Sequence, residues 1–170
     1  MCYGENMIPR KQSSPERSGE ADVVVDLAAL FDELIRFEIE LWTAVDARLR
    51  EDCDLPLSRF EPMRVISRRA PCRVQDIAEE MSITVGGVSK LVDRIEAAGH
   101  CRRRPNPEDK RSSVIEPTPA GKRLLATAIT AFEDELRIRL GSAVSATSLQ
   151  QFSTTLTQLR SAGHRADSTE

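Results

Sequence analysis

Between Val74 and Arg111 the chain spells a short apolar-patterned segment, a tight turn, a second helical segment and a basic hairpin, a succession that few folds accommodate. In the second segment, TVGGVSKLVDRIEAAGH, Val88, Leu91, Val92, Ile95 and Ala98 recur at the spacing of a stripe packed on a core. The opposite face carries Thr84, Gly86, Gly87, Ser89, Lys90 and Arg94. Small, polar and basic side chains suit a helix pressed into the DNA major groove. The hairpin CRRRPNPEDKRSSVIEPT adds a basic wing that could reach the adjacent minor groove. This pattern predicts a DNA-binding winged helix.

Composition permits that reading without demanding it. The 170 residues are 40% hydrophobic and 30% charged, with a net charge of −3 and a pI near 5.6. Such a balance argues against a protein that coats nucleic acid indiscriminately. The charge is uneven, however: Leu55 to Pro117 holds 12 Lys and Arg against 9 Asp and Glu, and the remainder is acidic. A basic module on acidic helices turns its field toward phosphate while the rest stays soluble.

Cys2, Cys53, Cys72 and Cys101 form no CxxC pair, so neither a zinc site nor a disulfide framework is expected, and no metal or cofactor is called for. No apolar run has signal-peptide or membrane-spanning length, so the expected location is cytoplasmic, with reduced thiols and no membrane partner. His100 and His164 are the only histidines, and no Ser-His-Asp or HExxH arrangement exists, so an enzyme is not expected.

Along the chain, residues 1–20 read as a disordered tail. Residues 21–54 hold a long helix from about Asp22 to Glu51, with Leu27, Phe31, Leu34, Leu41, Trp42, Val45 and Leu49 at helical intervals. Some thirty residues make a rod of roughly 45 Å. That is more than one small domain needs, so part of the apolar face is expected to meet another chain. The winged helix occupies 55–117, with Ser82 or Thr84 as cap of the second helix and Gly99 as its stop. Two further helices fill 118–162: one is capped by Thr118 and runs to about Ser142, and the other spans Ala146 to Ser161 with Leu149, Phe152, Leu156 and Leu159 inward. Residues 163–170 read as a second tail. The predicted class is mainly α with a small β-wing, the winged helix-turn-helix flanked by long dimerisation helices.

The segment RVQDIAEEMSITVGGVSKLVDRIEAAGHCRRRPNPEDKRSSVIEPTPAGKRLL resembles the MarR family of winged helix-turn-helix transcriptional regulators. Asp76-Ile77-Ala78 is similar to the family's DIA or DLA motif, Val88 to Arg104 to its recognition segment, and Asp109-Lys110-Arg111 to its wing Asp-x-Arg. Pro117-Thr118-Pro119-Ala120-Gly121 is similar to its "LT..G". Two departures stand out: Pro117 replaces a leucine and should end the second wing strand, and His100-Cys101 makes the wing base more polar.

The resemblance implies a homodimer on double-stranded DNA, its two recognition helices one turn apart on an inverted-repeat operator, most often acting as a repressor. It implies DNA contacts from Thr84, Gly86, Gly87, Ser89, Lys90 and Arg94, and from Arg104, Asp109, Lys110 and Arg111 in the wing. Gly86 and Gly87 would allow close backbone approach, or mark only a loose helix start; Lys90 would touch DNA, or only water. Family members commonly bind small anionic aromatics between the dimer helices and the winged domain. Trp42, Asp46, Arg59, Phe60 and Met63 are the residues expected near such a cleft, against the alternative that the apolar three fill the core and Arg59 pairs with Asp46. A rival input is thiol oxidation at Cys72, beside Arg73 at a helix start, against the alternative of inert buried cysteines. A winged helix that binds protein instead of DNA is the remaining reading.

Overall fold

Short polar side chains set the helix starts by accepting backbone amides that have no partner inside the helix. The computed structural model of the chain describes residues 25–69, 71–106 and 112–167. The Asp26 carboxylate accepts from the amides of Ala28 and Ala29 at 3.0 and 3.1 Å and opens α1, Leu27–Cys53. The predicted tail at 1–20 lies outside the described residues. α2 (Leu57–Arg68) starts behind Pro56, whose fixed φ suits that position. α3 (Val74–Met81) ends at Ser82, which takes the left-handed conformation at φ 54° and turns the chain toward α4, Val85–Ala97.

Of the two candidate caps for α4, the structure selects Thr84, whose Oγ1 accepts from the Gly87 amide at 3.2 Å. Gly99, at φ 77°, leads out of the helix in a conformation that L side chains rarely adopt. The wing strands β1 (Cys101–Pro105) and β2 (Ser113–Pro117) pair antiparallel, with Arg102 opposite Glu116 and Arg104 opposite Val114. Cys72 adds one further bridge on the other side of β2: the Ile115 amide donates to its carbonyl at 2.7 Å. β2 ends at Pro117, as the missing amide predicts.

Thr118 then caps α5 (Pro119–Leu136) by accepting from the Gly121 amide at 3.0 Å, and its hydroxyl donates to the Gly99 carbonyl at 2.7 Å. A β-carbon at position 121 would lie 1.9 Å from the His100 carbonyl oxygen. Glycine is required there by the close approach of α5 to the base of the wing. α5 does not continue regularly to Ser142 as expected. It widens into a π-helical turn, Arg137–Gly141, with the Ser142 amide bonded to the Arg137 carbonyl. The last helix, α6 (Ala146–Asp167), runs past the expected end at Ser161, so its backbone occupies most of the segment read as a tail.

One core joins the C-terminal half of α1 to the winged helix and α5. Val45 and Leu49 meet Phe60, Met63, Val65 and Ile66 of α2, Ile77 and Ala78 of α3, Val88, Val92 and Ile95 of α4, and Leu125, Ala128 and Ala131 of α5. Three expectations need correction. Ala98 is exposed, because it sits at the C-cap after α4 has left the core. The polar wing base is not polar: Cys101 is buried, with its thiol against the Val92 carbonyl. Phe152, Leu156 and Leu159 are not inward, because α6 extends away from this core. Leu27 and Phe31 of α1, 73% and 62% exposed, agree with the expectation that part of that helix's apolar face lies outside this core.

Candidate nucleic-acid interface

The amphipathic pattern of α4 fixes which of its faces is free. With Val88, Val92 and Ile95 completely buried, Thr84, Gly86, Lys90 and Arg94 are left exposed and Gly87 and Ser89 half-buried. Neither Lys90 nor Arg94 makes an ion pair among the described residues, so both charges stand open to solvent. A β-carbon at Gly86 would meet nothing within 4 Å, whereas at Gly87 it would press on Thr84 Oγ1 at 3.2 Å. Gly87 therefore serves the cap, and nothing among the described residues requires Gly86 to lack a side chain. Ile83 and Val85, which the sequence reading passed over, are 40% and 51% exposed beside it. Their apolar character hid them among core residues; only the turn geometry shows that they face outward.

The three wing arginines divide as strand alternation requires. Arg102 and Arg104 lie on the outer face, where both guanidiniums reach Glu116, at 3.1 and 3.0 Å. Arg103 turns inward and fastens the wing to α4. Its amide donates to Glu96 at 2.7 Å, and its guanidinium donates to Glu96, to Asp93 at 2.6 Å and to the Ser89 carbonyl. Burial would lower its pKa, but the hydrogen bonds to Glu96 and Asp93 outweigh that and raise it. Asp109, Lys110 and Arg111 lie outside the described residues.

The five residues expected at an effector cleft do not come together as one. Phe60 is completely buried with its ring 5.0 Å from that of Phe132, and Met63 is core. Asp46 is a structural clamp. It accepts from the Leu57 amide at 2.7 Å and from Arg50 at 2.6 Å, and Arg59 is not its partner. Burial alone would raise the Asp46 pKa, but Arg50 and the Leu57 amide hold it below the ordinary carboxylate value. Trp42, 45% exposed, lines an apolar hollow of about 210 Å³ with Leu41, Val45, Leu57, Phe132 and Leu136, rimmed by Glu38 and Glu61. Sequence reasoning missed Arg64, whose guanidinium lies 4.7 Å from the Phe132 ring centre and 5.5 Å from that of Phe60. It borders a second hollow of about 190 Å³ with Leu125, Ile129 and Arg68.

Of the two readings weighed for Cys72, the structure agrees with the buried thiol. Its side chain is fully buried, and burial together with Asp76 pushes the thiol up to about 11. The nearby arginine charge loses because desolvation disfavours the thiolate more strongly. Cys101 is likewise pushed up to about 11 by burial, and the Cys53 thiol is raised by burial and Asp52.

Residues 55–113 match the model of the MarR family. A 71-residue stretch, 42% of this chain, is 28% identical to the uncharacterized HTH-type transcriptional regulator YfiV of Bacillus subtilis, and spans 44% of that protein, less than half its length. In fold, the chain is similar to Sco3205, a MarR family transcriptional regulator from Streptomyces coelicolor solved in complex with DNA. The TM-score is 0.75 at 18% identity, covering 82% of this chain and 89% of that one. It is also similar to CouR from Rhodococcus jostii, solved bound to p-coumaroyl-CoA, with a TM-score of 0.69 at 23% identity, covering 79% and 91%.

Proposed function

We propose, on the match of residues 55–113 to the model of the MarR family, that the chain is a transcriptional regulator that binds an inverted-repeat DNA operator as a homodimer and represses by occluding it. What supports this most is the free face of α4, where Lys90 and Arg94 stand without ion-pair partners among the described residues beside a backbone bared at Gly86. Thr84, Gly87 and Ser89 complete that face, and Arg104 adds a charge from the wing. The resemblance to the family's wing assigns Arg111 to the minor groove and Asp109 to orienting it, and counts Lys110 among the DNA contacts. The fold's likeness to Sco3205, solved on DNA, agrees with this.

Dimerisation is supported by apolar side chains that the described residues leave exposed: Leu27, Phe31 and Ile35 on α1 and Phe152 and Leu159 on α6. For the effector, neither hollow stands out: Arg64 is paired with Glu61 at 2.8 Å and shares its hollow with Glu133, and the Trp42 hollow is rimmed by Glu38 and Glu61. CouR, bound to p-coumaroyl-CoA, sets a precedent for an aromatic acyl ligand on this fold. Thiol sensing draws no support from Cys53, Cys72 or Cys101, all of which hold their protons more tightly than usual.

The test is gel-shift binding of the purified protein to DNA upstream of its own gene, over a salt series and with aromatic carboxylates added. Tight, salt-sensitive binding to an inverted repeat supports the reading. Affinity equal to that for random duplex, together with an Arg111→Ala variant that binds no worse, favours a protein-binding winged helix.

A further inference from the structure

Three arginines gather away from the recognition face, on a cleft of about 470 Å³ between the end of α2, the start of α3 and the wing strand at Val114. Arg68 and Arg69 come from α2 and the residue after it, and Arg73 precedes α3. Two carboxylates of α3 hold them in place. Glu80 accepts from Arg68 Nη2 at 2.6 Å and lies 3.1 Å from Arg69 Nε, and Asp76 lies 3.3 Å from Arg73 Nη2. Arg68 and Arg69 share the one Glu80 carboxylate, and their side chains remain 55% and 46% exposed.

We infer that this cleft is a second DNA subsite, in which Arg68 and Arg69 take a backbone phosphate beyond the bases read by α4. The inference rests on the DNA-binding reading given above. A guanidinium offers five donors in a planar fork, so each arginine shared with Glu80 retains N–H groups for an oxyanion. The first helix of a helix-turn-helix crosses the DNA backbone, and here that helix is α3, which carries both holding carboxylates. A polyanion is favoured over a small effector by the lining. Small-molecule sites are mostly apolar, as the lining of the hollow at Trp42 is, whereas this cleft is set with charged side chains. Because Glu80 competes with the phosphate for the same donors, it tunes the subsite.

The experiment measures affinity of the full chain for upstream and random duplexes across a salt series, comparing wild type with Arg68→Gln/Arg69→Gln and with Glu80→Gln. Loss of one phosphate contact makes the slope of log affinity against log salt shallower by about 0.9. The double variant should therefore weaken on both duplexes by a similar factor, with the preference between them kept. Glu80→Gln should bind more tightly than wild type, with a steeper slope. A merely structural role for the cluster predicts weaker binding in both variants, and that result would overturn the subsite, as would wild-type slopes in both. If the wild-type chain binds no duplex, the DNA reading itself falls and the subsite with it.

Discussion

The backbone amide and the guanidinium of Arg103 both donate to the carboxylate of Glu96, so that one side chain of α4 grips β1 twice. β1 and α4 are in consequence fastened to each other, with Asp93 as a third point of attachment. Arg103→Ala should leave Glu96 and Asp93 without their shared cation and cost about 1–3 kcal/mol of stability. Denaturant unfolding measures that loss. DNA binding should weaken with helix content unchanged by circular dichroism, since α4 keeps its packing while the wing loses its anchor.

Two glycines separate folding from binding. Gly86→Ala fills open space and removes a glycine from the first turn of α4, so the melting temperature should rise, by an amount equivalent to a fraction of the roughly 1 kcal/mol that an interior glycine costs. DNA affinity should nonetheless fall, because a methyl group then stands where the backbone approaches the groove. Gly121→Ala drives a methyl group into the His100 carbonyl and should destabilise by about 1–3 kcal/mol or more. Thermal melts and binding curves on the two variants should move in these distinct ways.

The exposed Val85 beside Gly86 has the shape to contact a thymine methyl group in the major groove. Replacing operator thymines by deoxyuridine, one at a time, should weaken wild-type binding at one position in each half-site. The same replacement should leave a Val85→Ala variant unaffected. Equal losses in the two proteins would exclude the contact.

Much of the local architecture was legible because its causes are local. The caps at Thr84 and Thr118 and the left-handed exit at Gly99 follow from side chains within a few positions of the backbone that they serve. Partner choice was not legible. A periodic stripe says that Phe152 and Leu159 must be covered, but not by what, and α6 turns them away from this chain's core. Among Arg102, Arg103 and Arg104 the alternation was readable, yet only the docking of β1 against α4 decides that Arg103 is the inward one. For Cys72 the sequence displayed the neighbouring Arg73 and concealed the burial, which comes from a bridge to Ile115 far along the chain. Asp46 was misread for a similar reason, since its amide partner is eleven residues away.

The raised thiols give a pH dependence of definite sign. A folded-state pKa of about 11 for Cys72 and Cys101, above the usual value of 9.0, means that the unfolded chain releases these protons first. Their contribution to stability is complete below pH 9 and declines as pH rises toward 11. Urea unfolding at pH 8 and pH 10 should show the fall, and Cys72→Ala should reduce it. Alkylation of the native protein at neutral pH should label Cys53 well ahead of the two buried thiols.

The uncovered apolar side chains make the dimer testable without DNA. Phe31→Glu and Leu159→Glu should each shift the protein toward the monomer in sedimentation velocity, while Arg94→Ala, on the opposite side of the molecule's chemistry, should leave the mass unchanged. A wild-type chain that sediments as a monomer at micromolar concentration would exclude the dimer.

The bond from Asp46 to the Leu57 amide joins the long rod of α1 to the first turn of α2, with Arg50 steadying the carboxylate from one turn further on. A pivot at the bend around Asp54 would have to break it. The joint between rod and reading head is thus braced like the angle of a set square, and a tilt imposed along α1 is delivered to α4 as a displacement rather than absorbed in the elbow. In a symmetric pair, two such braced arms would act as callipers, whose gap is set where the rods cross and read where the tips meet the groove.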